Sequence, residues 1–255
     1  MSWASIRRWE YISGIALVIF VVAGIPLLVV LLKENPTCYD NKQNQQELGV
    51  DCGGECEKIR LCESQAYGLS VLWSRSFKVT DGLYNSVAYI ENPNFDAAIR
   101  EIAYTFSLYD ENNVVVAERR GTTFVSTNAI TPIFEAGIET GNRTPVRTFF
   151  EFTDTPLWFK TSNIEGLSIK SPAVREGGIR PKIDAMVLNE SVDEIEDIEI
   201  IATVFDSSNN AFASSRTIID SLPPRSDTMI TFTWPHPFPK NVARIDVVPR
   251  IPLDK

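Results

Sequence analysis

The sequence contains a single histidine, His236, and only four cysteines, all between Cys38 and Cys62. One imidazole flanked by prolines, in WPHPFP, leaves no Ser-His-Asp or Cys-His set to assemble, and a lone histidine in an extended loop is a surface or packing residue. A glycine-rich phosphate loop, an H-E-x-x-H helix and a C-x-x-C redox pair are also absent. These gaps argue against an enzyme. Positive charge is scarce as well: 24 Lys and Arg face 33 Asp and Glu, for a net charge of −9. Such a chain repels phosphate backbones, which argues against a nucleic-acid partner.

Long apolar runs are missing except one. From Tyr11 to Leu32, YISGIALVIFVVAGIPLLVVLL carries no charge, and as a helix it would cover about 33 Å, the thickness of a hydrocarbon core. Apolar sequence resumes directly after Ala23-Gly24 with no A-x-A site, so the run reads as an uncleaved signal anchor and not a cleaved leader. Arg7 and Arg8 precede it, which by the positive-inside rule keeps the N-terminus cytoplasmic and sends the remainder across the cell membrane. Gly14, Gly24 and Pro26 are tolerated as in other membrane helices, and no small-xxx-small pair marks a dimer face.

On the oxidising side of a membrane, Cys38, Cys52, Cys56 and Cys62 read as a disulfide framework. Their spacing, C-x13-C-x3-C-x5-C, leaves all three pairings open. Two small polar loops cannot fold on burial alone, and cross-links supply about 2–4 kcal/mol each. Structural zinc is disfavoured because the paired C-x2-C knuckles are lacking. Asp40, Asn44, Glu47 and Asp51 bring oxygen ligands at short intervals, as a calcium site requires; the alternative is that they solvate a loop. No other cofactor is indicated. Gly53-Gly54 permits positive φ beside a crowded cross-link. The segment resembles a Cys-rich module of secreted and surface proteins, C-x-D-G-x-x-N-x-x-E-x-G-V-D-C-G-G-x-C, matched at Asp40, Asn44, Glu47, Gly49 to Gly54 and Cys56. Asn41 stands where the module has Gly, and Asn also tolerates a left-handed backbone.

Beyond Cys62 no stretch sustains a 3.6-residue apolar period. Short alternating runs rich in Val, Ile, Thr, Phe and Tyr recur between polar turns, the pattern of a β-sandwich. The runs repeat. AYIEN, Ile99, Ile102 and FSLYDENN answer AMVLN, Ile195, Ile198 and ATVFDSSNN, with Leu108, Tyr109 and Asp110 matching Val204, Phe205 and Asp206 at one constant offset. This predicts a mainly β chain with two tandem β-sandwich units. The expected division is a cytoplasmic stub (1–10), a transmembrane helix (11–32), a Cys-rich stalk (33–65) and sandwiches over 66–163 and 164–255, with the boundary near 161–163. The unit resembles the FxLYD family of Ig-like sandwiches, carried by Phe106-Ser107-Leu108-Tyr109-Asp110 with Asn92 ending the preceding strand; the second copy departs to Ala202-Thr203-Val204-Phe205-Asp206. The resemblance implies an Ig-like fold and a structural motif. Alternation puts Phe106 and Leu108 opposite Tyr109, and Asp110 ends the strand by bonding into the Glu111-Asn112-Asn113 turn.

The acidic run from Val192 to Glu199 reads as the solvated face of a strand whose isoleucines point inward. Trp158, Phe159, Trp234 and Phe238 form either an exposed recognition patch or packed sandwich ends. Asn142-Arg143-Thr144 and Asn189-Glu190-Ser191 match the glycosylation pattern without marking sites. The reading that results is a single-pass, non-enzymatic envelope protein, extracytoplasmic beyond its helix, that displays loops to a protein or glycan partner. The alternative is a scaffold subunit of an envelope assembly.

Overall fold

A computed structural model describes residues 3–32, 36–162, 166–176 and 178–253. The expected boundary near 161–163 therefore ends outside the described residues.

The apolar run is helical. Helix α1 (Trp3–Ile19) continues through a wider π-helical turn, Phe20–Gly24, into α2 (Ile25–Leu32). Pro26 explains the turn, since its ring clashes with the carbonyl four residues back and a local bulge relieves the ladder. Within residues 7–28 an 18-residue apolar window is long enough to cross a membrane, and none of it is buried against the rest of the protein, as expected of either a membrane anchor or a signal sequence.

Thirteen strands follow among the described residues, and their order repeats. In the first half, β1 (Ser70–Thr80), β2 (Leu83–Asn92) and β5 (Ala129–Glu139) form one antiparallel sheet. Opposite it lie β4 (Val115–Val125), β3 (Ala97–Tyr109) and β6 (Arg147–Phe152), with the short β7 (Trp158–Lys160) pairing to the start of β3. In the second half, β8 (Leu167–Glu176), β9 (Lys182–Asn189) and β12 (Asp227–Thr233) form a sheet in the same order, opposite β11 (Ala211–Leu222), β10 (Ile195–Phe205) and β13 (Arg244–Arg250). Each half closes on its own core. Tyr84, Ala88 and Ile90 of β2 meet Tyr104, Phe106 and Leu108 of β3 in the first. Ile183 and Val187 of β9 meet Ile198, Ile200 and Val204 of β10 in the second.

The turn after the motif strand is built twice from the same parts. Asp110 Oδ1 accepts from the N–H groups of Asn112 and Val114, and Asp206 Oδ1 accepts from those of Ser208 and Asn210. Asn113 and Asn209 sit at the same left-handed φ of 60°, a conformation asparagine tolerates better than most residues. Asn92 and Asn189 also correspond. Both are 1% exposed, and each side-chain amide donates to carbonyls of neighbouring loops: Ala97 and Ser126 for Asn92, Asp193 and Leu222 for Asn189. Asn189 is thus a loop latch, its nitrogen turned away from solvent.

The two halves meet through sheet faces. The alternation of β2 and β10 buries both of their sides, so that Val87 and Tyr89 of β2, with Phe77 and Phe134, pack on Ile201, Phe205 and Ala211 of the second half. Trp73 stacks on Tyr89 at 4.4 Å and meets Phe205 edge-on at 6.1 Å. Burying apolar area on a second face couples the halves through the same effect that forms their cores.

Candidate functional site

The cysteine segment is a compact knob. Cys38 joins Cys56 and Cys52 joins Cys62, so the two links interleave, and no described cysteine is free. Gly53 and Gly54 adopt φ of 68° and 57°, and a Cβ on Gly54 would lie 2.1 Å from the Gln46 carbonyl oxygen. Asn41, at φ 57°, holds the left-handed position. The knob caps one end of the first sandwich. Leu61 N–H donates to the Trp158 carbonyl at 2.7 Å, Lys160 N–H donates to the Glu57 carbonyl at 2.8 Å, and Leu61 is buried against Ala97, Ile99 and Trp158.

The four candidate calcium ligands frame this knob. The Asp51 carboxylate accepts from the backbone N–H groups of Asp40 and Asn41, that of Asp40 from Lys42 N–H and Asn44 Nδ2, and Glu47 Oε2 from Asn44 N–H and Asp51 N–H. The Asn44 side chain, acting first, holds the Asp40 carboxyl below the usual carboxylate range. Calcium takes six to eight oxygens at about 2.3–2.6 Å, and N–H donors aimed at the same oxygens oppose a cation. Of the four residues only Asn44 leaves a buried oxygen, Oδ1, without a partner. Cys38, Glu47 and Cys56 also lie close together, but both sulfurs belong to the disulfide and carry no thiolate to offer a metal.

The four aromatic candidates divide. Trp158 and Phe159 are 3% and 5% exposed; Trp158 packs in the knob-end core, and Arg100 lies 3.5 Å over the Phe159 ring. Trp234 and Phe238 are half-buried, 5.0 Å apart, and Phe238 meets Phe212 at 5.5 Å. They line a cleft of about 230 Å³ where β1 of the first sandwich faces β11 of the second, with Phe77, Lys78, Asn85 and His236 also on its walls. The Trp234 indole Nε1 is buried and has no hydrogen-bond partner. No carboxylate stands among the lining residues, and Asp81, just outside the cleft, feels the charge of His236. Asp81 is ion-paired to Lys78 at 2.6 Å, which lowers its pKa.

Sequence reasoning missed a polar clasp between the sandwiches. Arg250, whose side chain is 4% exposed, bonds the Glu199 carboxylate and reaches Thr123 Oγ1 and the Phe124 carbonyl of the first half. Arg216 holds the other Glu199 oxygen at 3.0 Å. Burial pushes the Arg250 guanidinium down from its ordinary value while Glu199 opposes the shift. The signal in the sequence was a lone arginine inside the apolar run VVPRIP. Nearby, Tyr104 donates to Glu135 at 2.7 Å in a space that exists because residue 121 is glycine; a Cβ there would lie 2.6 Å from the Tyr104 oxygen. Burial, aided by Glu135, raises the Tyr104 pKa, and burial pushes the Tyr89 phenol up to about 12. Glu196 and Asp197 of the run from Val192 lie on a solvated face, exposed while Ile195 and Ile198 are buried.

No family model and no curated protein matches the chain. Among solved structures, red sea bream transglutaminase is similar over 71% of this chain and 29% of its own, at 10% identity and a TM-score of 0.22. A Bacteroides uniformis β-glucuronidase is similar over 69% and 22%, at 13% identity and a TM-score of 0.20. The chain thus spans under a third of either protein's length.

Proposed function

We propose that the chain is a single-pass binding and display protein of the cell envelope, without enzymatic activity, whose two FxLYD-like sandwiches lie outside the cytoplasm. The observation that carries this reading is the cleft between β1 and β11, walled by Phe77, Phe212, Trp234 and Phe238, with Lys78 and Asn85 as polar groups among its lining residues. Such a site can hold and orient a group that offers a hydrogen-bond acceptor. Two disulfides fit an oxidising compartment, and the apolar helix fits an anchor. Tethering at a membrane raises the effective concentration of a displayed site.

The test is mild crosslinking on intact membranes followed by capture, with the wild-type chain and Lys78→Met, which keeps the aliphatic stem and removes the exposed donor of the cleft. An envelope protein or glycan captured by the wild type and lost by the variant supports the reading. A fixed-stoichiometry membrane complex that both retain favours the scaffold alternative.

A further inference from the structure

Outside the helix, three described aromatic side chains are more than seven-tenths exposed: Tyr39 at 74%, Tyr67 at 77% and Phe95 at 78%. All three sit on the knob or on the loop strapped to it. Tyr39 follows Cys38, which is fixed to Cys56. The backbone of Tyr67 is held on both sides by the Asn94 side chain, at 2.7 and 2.8 Å, and Phe95 follows Asn94. Leu48 and Val50, 64% and 54% exposed, add apolar area on the same knob. Three exposed aromatic side chains on the knob and its strapped loop, at one end of the first sandwich, mark a contact surface, and the chain itself limits what can meet it.

Helix α2 ends at Leu32 and the first disulfide begins at Cys38. Even fully extended, the intervening chain reaches about 20 Å. The headgroup zone of one leaflet is about 6 Å deep, so Cys38 stands at most about 14 Å beyond the headgroups, and any tether short of full extension brings the knob closer to lipid. Tyrosine, with an apolar ring and a polar tip, suits that zone. Between residues 36 and 65 six acids outnumber three bases, which disfavours an anionic surface and fits zwitterionic headgroups.

We propose that the knob rests on the outer leaflet of the membrane its own helix spans, with Tyr39, Tyr67 and Phe95 at headgroup depth. The inference depends on the single-pass reading above. Because the knob is cross-linked and bonded to β7, this contact sets the attitude of both sandwiches and of the cleft above the bilayer.

The test uses the full chain in phosphatidylcholine nanodiscs made with and without acyl-brominated lipid, which quenches tryptophan at short range. Phe95→Trp places a reporter at the knob. Val146→Trp places a control at the far end of β3, where Val146 N–H bonds the Tyr109 carbonyl and the side chain is 65% exposed. The emission added by Phe95→Trp is expected to fall by about half with brominated lipid, and that added by Val146→Trp to stay unchanged. Equal behaviour of the two reporters overturns the proposal. Trp9, exposed on the helix, separates the two failures: quenching of the parent protein without quenching of the Phe95→Trp increment rejects the resting knob alone, and no quenching of either rejects the membrane span.

Discussion

The two sandwiches share a strand order and differ in what fills it. At equivalent places on β3 and β10, Phe106 of the first half stands where the second has Ala202, and both are fully buried. The first core is aromatic, with Tyr104, Phe106 and Phe150 in mutual contact at 4.9 to 5.8 Å. The second is built from β-branched residues, and its large ring, Phe232, comes from β12. One backbone plan therefore tolerates different distributions of volume, provided the sum packs. The motif residue that follows differs for another reason. Tyr109 is half-buried beside Arg147 and Phe149, whereas Phe205 is 4% exposed between the sandwiches, against Trp73 and under Arg244 at 3.9 Å. The departure from tyrosine at this position thus coincides with burial at the junction.

Truncating the unequal pair gives the largest separation. Phe106→Ala should cost about 3–5 kcal/mol in denaturant unfolding, while Ala202→Gly should cost about 1 kcal/mol; similar losses would mean that the two cores do not differ as described. Next in size is the clasp. Arg250→Ala leaves Glu199 without its buried partner and should cost about 3 kcal/mol, with hydrogen exchange rising at β4 as well as at β13. Exchange confined to β13 would mean that the halves are not joined there. Exchanging the motif residues should be asymmetric too. Phe205→Tyr buries a hydroxyl at a cost of about 1–3 kcal/mol, and Tyr109→Phe should be close to neutral.

Acid titration compares the two turns. Asp110 is held below the ordinary carboxylate range chiefly by the Val114 N–H, and Asp206 chiefly by the Lys240 ammonium. A carboxyl with a depressed folded pKa adds stability that is complete above its unfolded value and is lost as pH falls through the folded one. Asp110→Asn and Asp206→Asn should therefore weaken the protein at neutral pH and converge with the wild type in strong acid. Both carboxylates hold an ion pair, Asp110 with Arg143 and Asp206 with Lys240, so salt should shrink both effects, and the Asp206 effect more because the ammonium leads there. Smallest of all is calcium: with the knob carboxylates already bonded to N–H groups, adding calcium or a chelator should leave Tm unchanged, and a rise with calcium would restore a metal role for Asp40, Asn44, Glu47 and Asp51.

Much of this was legible because local patterns encode local structure. The apolar run became α1 and α2, and Asp110 and Asp206 built the turns their neighbours foretold. Gly53 and Gly54 took the positive φ that a tight cross-link demands. What sequence alone left open depended on partners distant along the chain. Pairing of four cysteines is decided by the folded loop. Alternation in β2 says that one face is buried, but Val87 and Tyr89 on the other face look like ordinary strand residues until the second sandwich covers them. The knob's seat on β7 and the reach of Arg250 to Thr123 likewise join segments far apart, and no spacing rule connects them.

The central claim is that the sandwiches and the cross-linked knob stand together outside a membrane crossed once. Thiol alkylation of the protein in intact cells, read by mass with and without reductant and paired with external protease, tests it most directly. The account predicts no reactive thiol before reduction, four after it, and external digestion of everything beyond the helix. Four thiols reactive from the start, or sandwiches protected until the cells are opened, would contradict it.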